Sequence, residues 1–229
     1  MPKHPNVDET AFDHIDCEWK AYLLGLLHTD GYVSRHNGGI NKYTIELTLN
    51  SKDIGLLEDI KARLGATIPI RQYRNKLTGG KTSGARLTIS NKRLWLALIK
   101  FGFFDADWNK SINILKSIPE ECVVAFWRGI FDGDGHISKW KSKYEHLEIG
   151  LTNTKETCES FKEFASCHVE NGASVRPHSN GRGVTFKYTL SHKKARLLLA
   201  ILYTNSSIAL ERKKTMAVKI INAESLEYA

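Results

Sequence analysis

The apolar positions of this chain change period along its length, and each change occurs twice. Residues 23–31, LLGLLHTDG, are an apolar run with glycine in third place that stops on Asp-Gly, and residues 127–135, WRGIFDGDG, repeat the phrase. Each reads as a helix closed by a turn pair. Strict alternation follows in YTIELTLN (43–50) and EHLEIGLTN (145–153), which predicts strands. The period then returns to that of a helix. Ile54, Leu57, Ile60 and Leu64 mark an apolar stripe closing at Gly65, and the stretch after Thr154 reads the same way, closing at Gly172. Ser51 and Thr154 stand at the expected N-caps, with acids in the first turn.

The correspondence continues. RLTISNKRLWLALI (86–99) and KYTLSHKKARLLLAIL (187–202) each read as a strand ending on serine and a basic, apolar helix. NKLTGGKTSG (75–84) and HSNGRG (178–183) precede them as hairpin loops in which glycine supplies positive φ. Each half therefore predicts α-β-β-α-β-β-α. The fold class is α+β, with two pseudo-symmetric halves of mixed, mainly antiparallel sheet. Helices cover one sheet face and leave the other open. The halves run over 1–104 and 120–229, joined by 105–119, where Pro119 and Glu120-Glu121 open the second phrase helix.

Charge sharpens this picture. The formal net charge is +8, and its placement is uneven. Residues 60–104 hold ten Lys/Arg and no acid, and residues 171–210 hold six and none. A basic surface built twice points to a polyanion. The longest apolar run, LLLAILY (197–203), is too short to span a bilayer. Residues 1–20 are polar and acidic with no secretory pattern, so an intracellular, cytoplasmic-type setting is expected, with an organelle, prokaryotic or phage host all compatible. Cys17, Cys122, Cys158 and Cys167 form no C-x-x-C pair and are expected to be reduced, mostly buried thiols; their spacing with His168 and His178 fits no zinc pattern.

The candidate chemistry lies in the Asp-Gly ends. A carboxylate in the last turn of a helix opposes the macrodipole by about 0.3–1 kcal/mol, yet Asp30 and Asp134 both sit there, 104 positions apart. Gly31 and Gly135 are expected to supply a left-handed stop. Mid-helix Gly25 and Gly129 each forgo about 1 kcal/mol against alanine, which close helix–helix contact would explain. If the two phrase helices pack side by side, the carboxylates meet at their base. They would repel there unless a cation lies between them, and Mg²⁺ or Mn²⁺ suits such an oxygen site.

At these residues the sequence resembles the LAGLIDADG homing endonucleases in their single-chain, two-motif form. The likeness covers about residues 15–220 and includes NKS (109–111) and LERKK (210–214). The resemblance implies two halves forming a saddle over double-stranded DNA, with the motif helices at the interface and the chain a monomer. It implies Asp30 and Asp134 as catalytic, metal-binding acids. It also places Lys110 and Lys213, 103 positions apart, near the scissile phosphates as transition-state stabilisers. His28 departs from the motif where Asp132 keeps its acid, and Trp127-Arg128 replace Leu-Ala. Relatives often carry Gln at the end of the second strand, where this chain offers Ser51 and Thr154.

The implied reaction is metal-dependent hydrolysis of one phosphodiester on each strand at a long asymmetric site. A strand of about eight residues at ~3.3 Å spans about 26 Å, or about seven or eight base pairs of major groove. Arg35, Arg71, Tyr73, Arg74, Arg86, Lys139, Lys141, Arg176, Arg182 and Lys187 are the candidate DNA contacts, of which alternation must send some to the other face. Two alternatives use the same fold: an RNA-splicing maturase holding intron RNA, and a non-catalytic DNA-binding protein. The first needs neither acid, and the second would be expected to have degenerate motifs.

Overall fold

The computed structural model describes residues 6–36, 42–74, 83–103, 112–141, 145–170, 172–179 and 183–223. The first half runs α1 (Glu18–Asp30), β1 (Gly31–His36), β2 (Lys42–Asn50), α2 (Ile54–Arg63), β3 (Arg71–Arg74), β4 (Ser83–Ser90) and α3 (Lys92–Lys100). The second repeats it as α4 (Val123–Asp134), β5 (Gly135–Lys141), β6 (Glu145–Asn153), α5 (Lys155–His168), β7 (Arg176–Ser179), β8 (Val184–Ser191) and α6 (His192–Tyr203), then adds α7 (Glu211–Ala223). The sheets have the same order, β1-β2-β4-β3 and β5-β6-β8-β7. Every pairing is antiparallel, so the sheets are not mixed. Two hairpins joined by one helix reach this order without a parallel crossover.

Alternation decides the faces. Ile45, Leu47 and Leu49 of β2 and Ala85, Leu87 and Ile89 of β4 are buried with the helices, as are Leu147, Ile149, Leu151, Tyr188 and Leu190 in the second sheet. The other row of each strand forms the open face. Between the sheets' helical layers lie α1 and α4. Tyr22, Leu24, Leu26, Phe126, Ile130 and Phe131 are fully buried there, so both halves share one core. Trp127 turns toward its own half and packs on Phe161 and Phe164, with ring centroids 5.3 and 5.8 Å away.

Local signals met expectation at some points and diverged from it at three. Asn50, not Ser51, caps the 3₁₀ turn Ser51–Asp53 that leads into α2, accepting from the Lys52 N–H at 3.0 Å. Thr154 caps α5 as expected, accepting from the Thr157 N–H. Gly65 takes φ of 57° just past α2, but α5 ends at His168, short of Gly172. Cys122 and Cys158 are buried, whereas Cys167 is exposed. Among the described residues no helix is long and apolar enough to cross a membrane.

Candidate active site

The glycines of the two phrases explain how α1 and α4 meet. A Cβ at Gly25 would lie 2.1 Å from the Phe126 carbonyl oxygen, and one at Gly129 would lie 2.2 Å from that of Tyr22. Backbone rests on backbone at both positions, which only glycine permits. At the base of the pair Gly133 faces Thr29 and Asp30, where an added Cβ would be 2.7 Å from Asp30 Oδ2. The Asp30 carboxylate therefore lies against the residue preceding Asp134, so the two helix ends that carry the sequence-predicted acids adjoin.

Gly31 and Gly135 do not adopt the left-handed conformation expected of them. Their φ values are −91° and −79° with extended ψ. Each donates its N–H to the carbonyl four residues back, Leu27 or Phe131, and the chain runs directly into the strand. Glycine is required for space, since a Cβ would come within 2.4 Å of that same carbonyl oxygen.

Asp134 is exposed, and its Oδ2 accepts from the Asn153 side-chain amide at 2.6 Å. Asn153 is the last residue of β6. It is a site residue that sequence reasoning placed one position late, at Thr154; the signal was the asparagine ending each second strand, Asn50 and Asn153. Thr29 Oγ lies 3.3 Å from Asp30 Oδ2 and donates to the Leu26 carbonyl at 3.0 Å.

Lys213 stands apart from its expected role. It is only 6% exposed, and its ammonium donates to the carbonyls of Phe131, Asp132 and Gly135. All three protons are spent on the C-terminal end of α4, so the amine is a helix cap and not a free phosphate ligand. It supplies the cation that the helix end favours and that Asp134 does not. Burial pulls its pKa down from 10.5 to about 8, against the attraction of Asp132, Asp134 and Asp30. Lys110, its counterpart in the repeat, lies outside the described residues.

Asp132, the motif's other acid, is a buried tie and stands apart from half-buried Asp30 and exposed Asp134. It accepts from Tyr22 Oη at 2.8 Å, Tyr203 Oη at 2.6 Å and the Leu210 N–H at 2.6 Å. Burial pushes its carboxyl up, and these hydrogen bonds pull it back. Arg128, 3% exposed, donates to the carbonyls of Ile208 and Leu202 at 2.9 Å each and pairs with Glu18, which also accepts from the Ser207 N–H at 3.1 Å. The Arg128 departure from the motif thus fastens the second half's α6–α7 turn to the start of α1.

Register sorts the candidate DNA contacts. Arg71, Tyr73 and Arg86 lie on the open row of the first sheet, and Arg176 and Lys187 on that of the second. Arg86 sits 5.2 Å over the Tyr73 ring and pairs with Glu46 at 3.2 Å. Lys187 and His136 converge on Glu148 at 3.1 and 3.2 Å. Arg35, Arg74 and Lys139 belong to the opposite row, as does the backbone position of Lys141, because their alternation matches that of the core residues. Arg35 instead lies 5.6 Å over the Tyr43 ring. Arg182 is outside the described residues.

Two antiparallel sheets with open basic rows, joined through paired helices whose adjoining ends each carry an aspartate, define a two-motif saddle protein with an internal pseudo-dyad. The sequence matches the profile of the LAGLIDADG-like domain over residues 19–100 and 121–166, more than half of the chain, and the chain belongs to that family. No curated protein matches it. Among solved structures it is similar to the homing endonuclease I-GzeII in complex with its DNA target, at 14% identity and a TM-score of 0.61, covering 91% of each chain. It is similar to I-LtrWI bound to target DNA, at 15% identity and 0.57, covering 96% of this chain and 92% of that one. It also resembles I-SmaMI bound to uncleaved DNA with calcium ions, at 14% and 0.59, covering 91% and 92%. At these identities the likeness is one of fold.

Proposed function

We propose that the chain is a divalent-metal-dependent DNA endonuclease that cuts both strands of a long, asymmetric duplex site as a monomer. The observation that carries this reading is the packing of Gly133 against Asp30, which sets the end of α4 that bears Asp134 beside Asp30 at the base of α1. The family membership and the DNA-bound and calcium-bound fold relatives support it.

The donors suit a hard cation. They are two aspartates, and among the described residues no three His, Cys, Asp or Glu side chains cluster to hold a metal. Two carboxylates that leave the remaining positions to water and phosphate are the usual setting for Mg²⁺. Bound there, the ion supplies positive charge at the phosphate and activates water for hydrolysis. The protein's own part is to fix the carboxylates. Asn153 orients Asp134, the glycine contacts set the separation of the helices, and Lys213 neutralises the end of α4. Sequence reading falls to the open rows. The sheets differ there, with Arg71, Tyr73 and Arg86 on one and Arg176, Lys187 and His136 on the other, which supports a non-palindromic site.

The test exposes the chain to a randomised duplex library with Mg²⁺ and sequences the cut ends. Cleavage at one long motif is expected, and chelation should abolish cutting while binding persists. Asp30→Asn and Asp134→Asn should each bind the selected duplex but fail to make the double-strand break. Full cleavage by either variant overturns the assignment.

A further inference from the structure

The open face of the second sheet carries a group that the proposed chemistry does not use. Trp140, near the end of edge strand β5, is 46% exposed. It shares the open row with His136 and Ser138 and lies directly opposite His146 of β6. The two rings stack almost parallel, 5.3 Å between centroids and 5° between planes. His146 in turn meets His192, 5.0 Å away and tilted by 49°. His192 opens α6 with φ of 52°, a conformation uncommon for a residue with a side chain. Three rings from three elements thus form a ledge that holds one indole face and leaves the rest of the ring to solvent.

The other open-row aromatic with a stacked partner, Tyr73, differs, because a guanidinium covers it. The cross-strand pair equivalent to Trp140 and His146 in the first sheet is His36 and Lys42, so the ledge belongs to one half. Beside it a cleft of about 640 Å³ opens between β5 and α7, with Lys139 and Lys219 on its rim and no acid among the described residues lining it. The cleft lies on the helix-facing side of β5; on the open face the indole shares its sheet with His136, Lys187 and Arg176.

We propose that Trp140, held face-on by His146, is an apolar DNA contact at the outer end of the second half-site. The proposal rests on the endonuclease reading above. The indole packs on a thymine C5-methyl group or on the apolar side of a deoxyribose, both of which are within reach of a strand in the major groove. Its position is set by the fold. Trp140 lies six residues beyond Asp134; at ~3.3 Å per residue this is about 20 Å, or about six base pairs, from the centre of the site.

The experiment uses duplexes that the wild-type chain recovers from a randomised library, with Ca²⁺ replacing Mg²⁺ during binding measurements. Trp140→Ala should bind about tenfold more weakly. Its footprint should recede at one end only, about six base pairs from the centre. Single-turnover cleavage at saturating protein should be unchanged, and Trp140→Phe should recover most of the affinity. His146→Ala should give an intermediate loss, because the indole is no longer held. Replacing thymine by uracil at that edge distinguishes the two contacts. A methyl contact weakens wild-type binding but not that of Trp140→Ala, whereas a sugar contact leaves both unchanged. Equal affinity and footprint for wild type and Trp140→Ala, or a loss spread evenly over both half-sites, overturns the proposal. If the wild-type chain selects no duplex at all, the endonuclease reading itself fails; if it selects and cuts while Trp140→Ala behaves identically, only the ledge fails.

Discussion

Replacing Gly25 with alanine tests the link between helix packing and the site most directly. The new Cβ would lie 2.1 Å from the Phe126 carbonyl oxygen and 3.0 Å from the Ile130 nitrogen, both backbone atoms that cannot rotate away. Relief requires α1 and α4 to separate by about 1 Å, and such a gap forfeits about a quarter to a half of the dispersion attraction it opens. Tyr22, Leu26, Phe126 and Ile130 flank the contact. With on the order of ten atom pairs each at ~0.15 kcal/mol, the loss is about 1.5–3 kcal/mol. The better helix propensity of alanine returns about 1 kcal/mol, leaving a net loss of about 0.5–2 kcal/mol. Urea unfolding should show it as a lower midpoint at constant slope. The effect on chemistry is larger, because a misplacement of about 1 Å between the acids should lower cleavage by about a hundredfold while DNA binding persists. Gly55→Ala is the matched control: nothing lies within 4 Å of its added Cβ, so it should stabilise by about 0.4–1 kcal/mol. A Gly25→Ala protein as stable and as active as wild type would refute the packing argument.

Three further outcomes are expected. Asn153→Ala removes the amide held by Asp134 and should slow cleavage of one strand by about tenfold or more, so that nicked duplex accumulates on a gel while affinity is unchanged; equal cutting of both strands contradicts its positioning role. Arg128→Met strands Glu18 and the carbonyls of Leu202 and Ile208, and should destabilise by about 3 kcal/mol or more, a drop of roughly 10 °C in Tm; a shift of under about 2 °C would assign the hook no weight. Lys213 gives a pH signature. Its folded pKa of about 8 lies below the ordinary 10.5, so between these values the unfolded chain holds a proton that the folded chain has released. Stability from this group is therefore least below about pH 8 and rises as pH climbs toward 10.5. The stability of wild type relative to Lys213→Met should increase across that window in denaturant titrations, and a flat difference would show that the buried ammonium is not the titrating group.

Much of this protein was legible in its sequence because doubling constrains interpretation. A single Asp-Gly pair is an ordinary turn, but two copies, each with an internal glycine and a matching run of strands and helices, have few other readings. Gly25 and Gly129 stood out because a helix interior disfavours glycine, and the structure supplies the backbone contact that outweighs this. Local rules were less informative where space, not conformation, set the residue. Gly31 and Gly135 satisfy the rule for a left-handed helix stop, yet they are extended and needed for clearance. Ser51 and Thr154 both looked like caps, and in the first half the cap was one residue earlier.

Side-chain destination is what the linear pattern left open. Arg35, Arg74 and Lys139 are as basic as Arg71, Arg86 and Lys187, and only strand register separates the row facing the helices from the open row. Lys213 shares its repeat offset with Lys110 and looked like a phosphate ligand; three carbonyls at the end of α4 claim its protons instead. Asp132 and Asp134 are two residues apart in one helix, and the helix turn alone sends one into a buried knot with Tyr22 and Tyr203 and the other to the surface with Asn153. The sequence by itself determined the two halves, their element order and the pair of acids, because apolar period and repeated motifs are properties of the chain. Tertiary structure decided which charges face outward, which acid is available to a ligand, and how Arg128 locks the halves together, because those outcomes depend on what packs against each side chain from elements a hundred residues away.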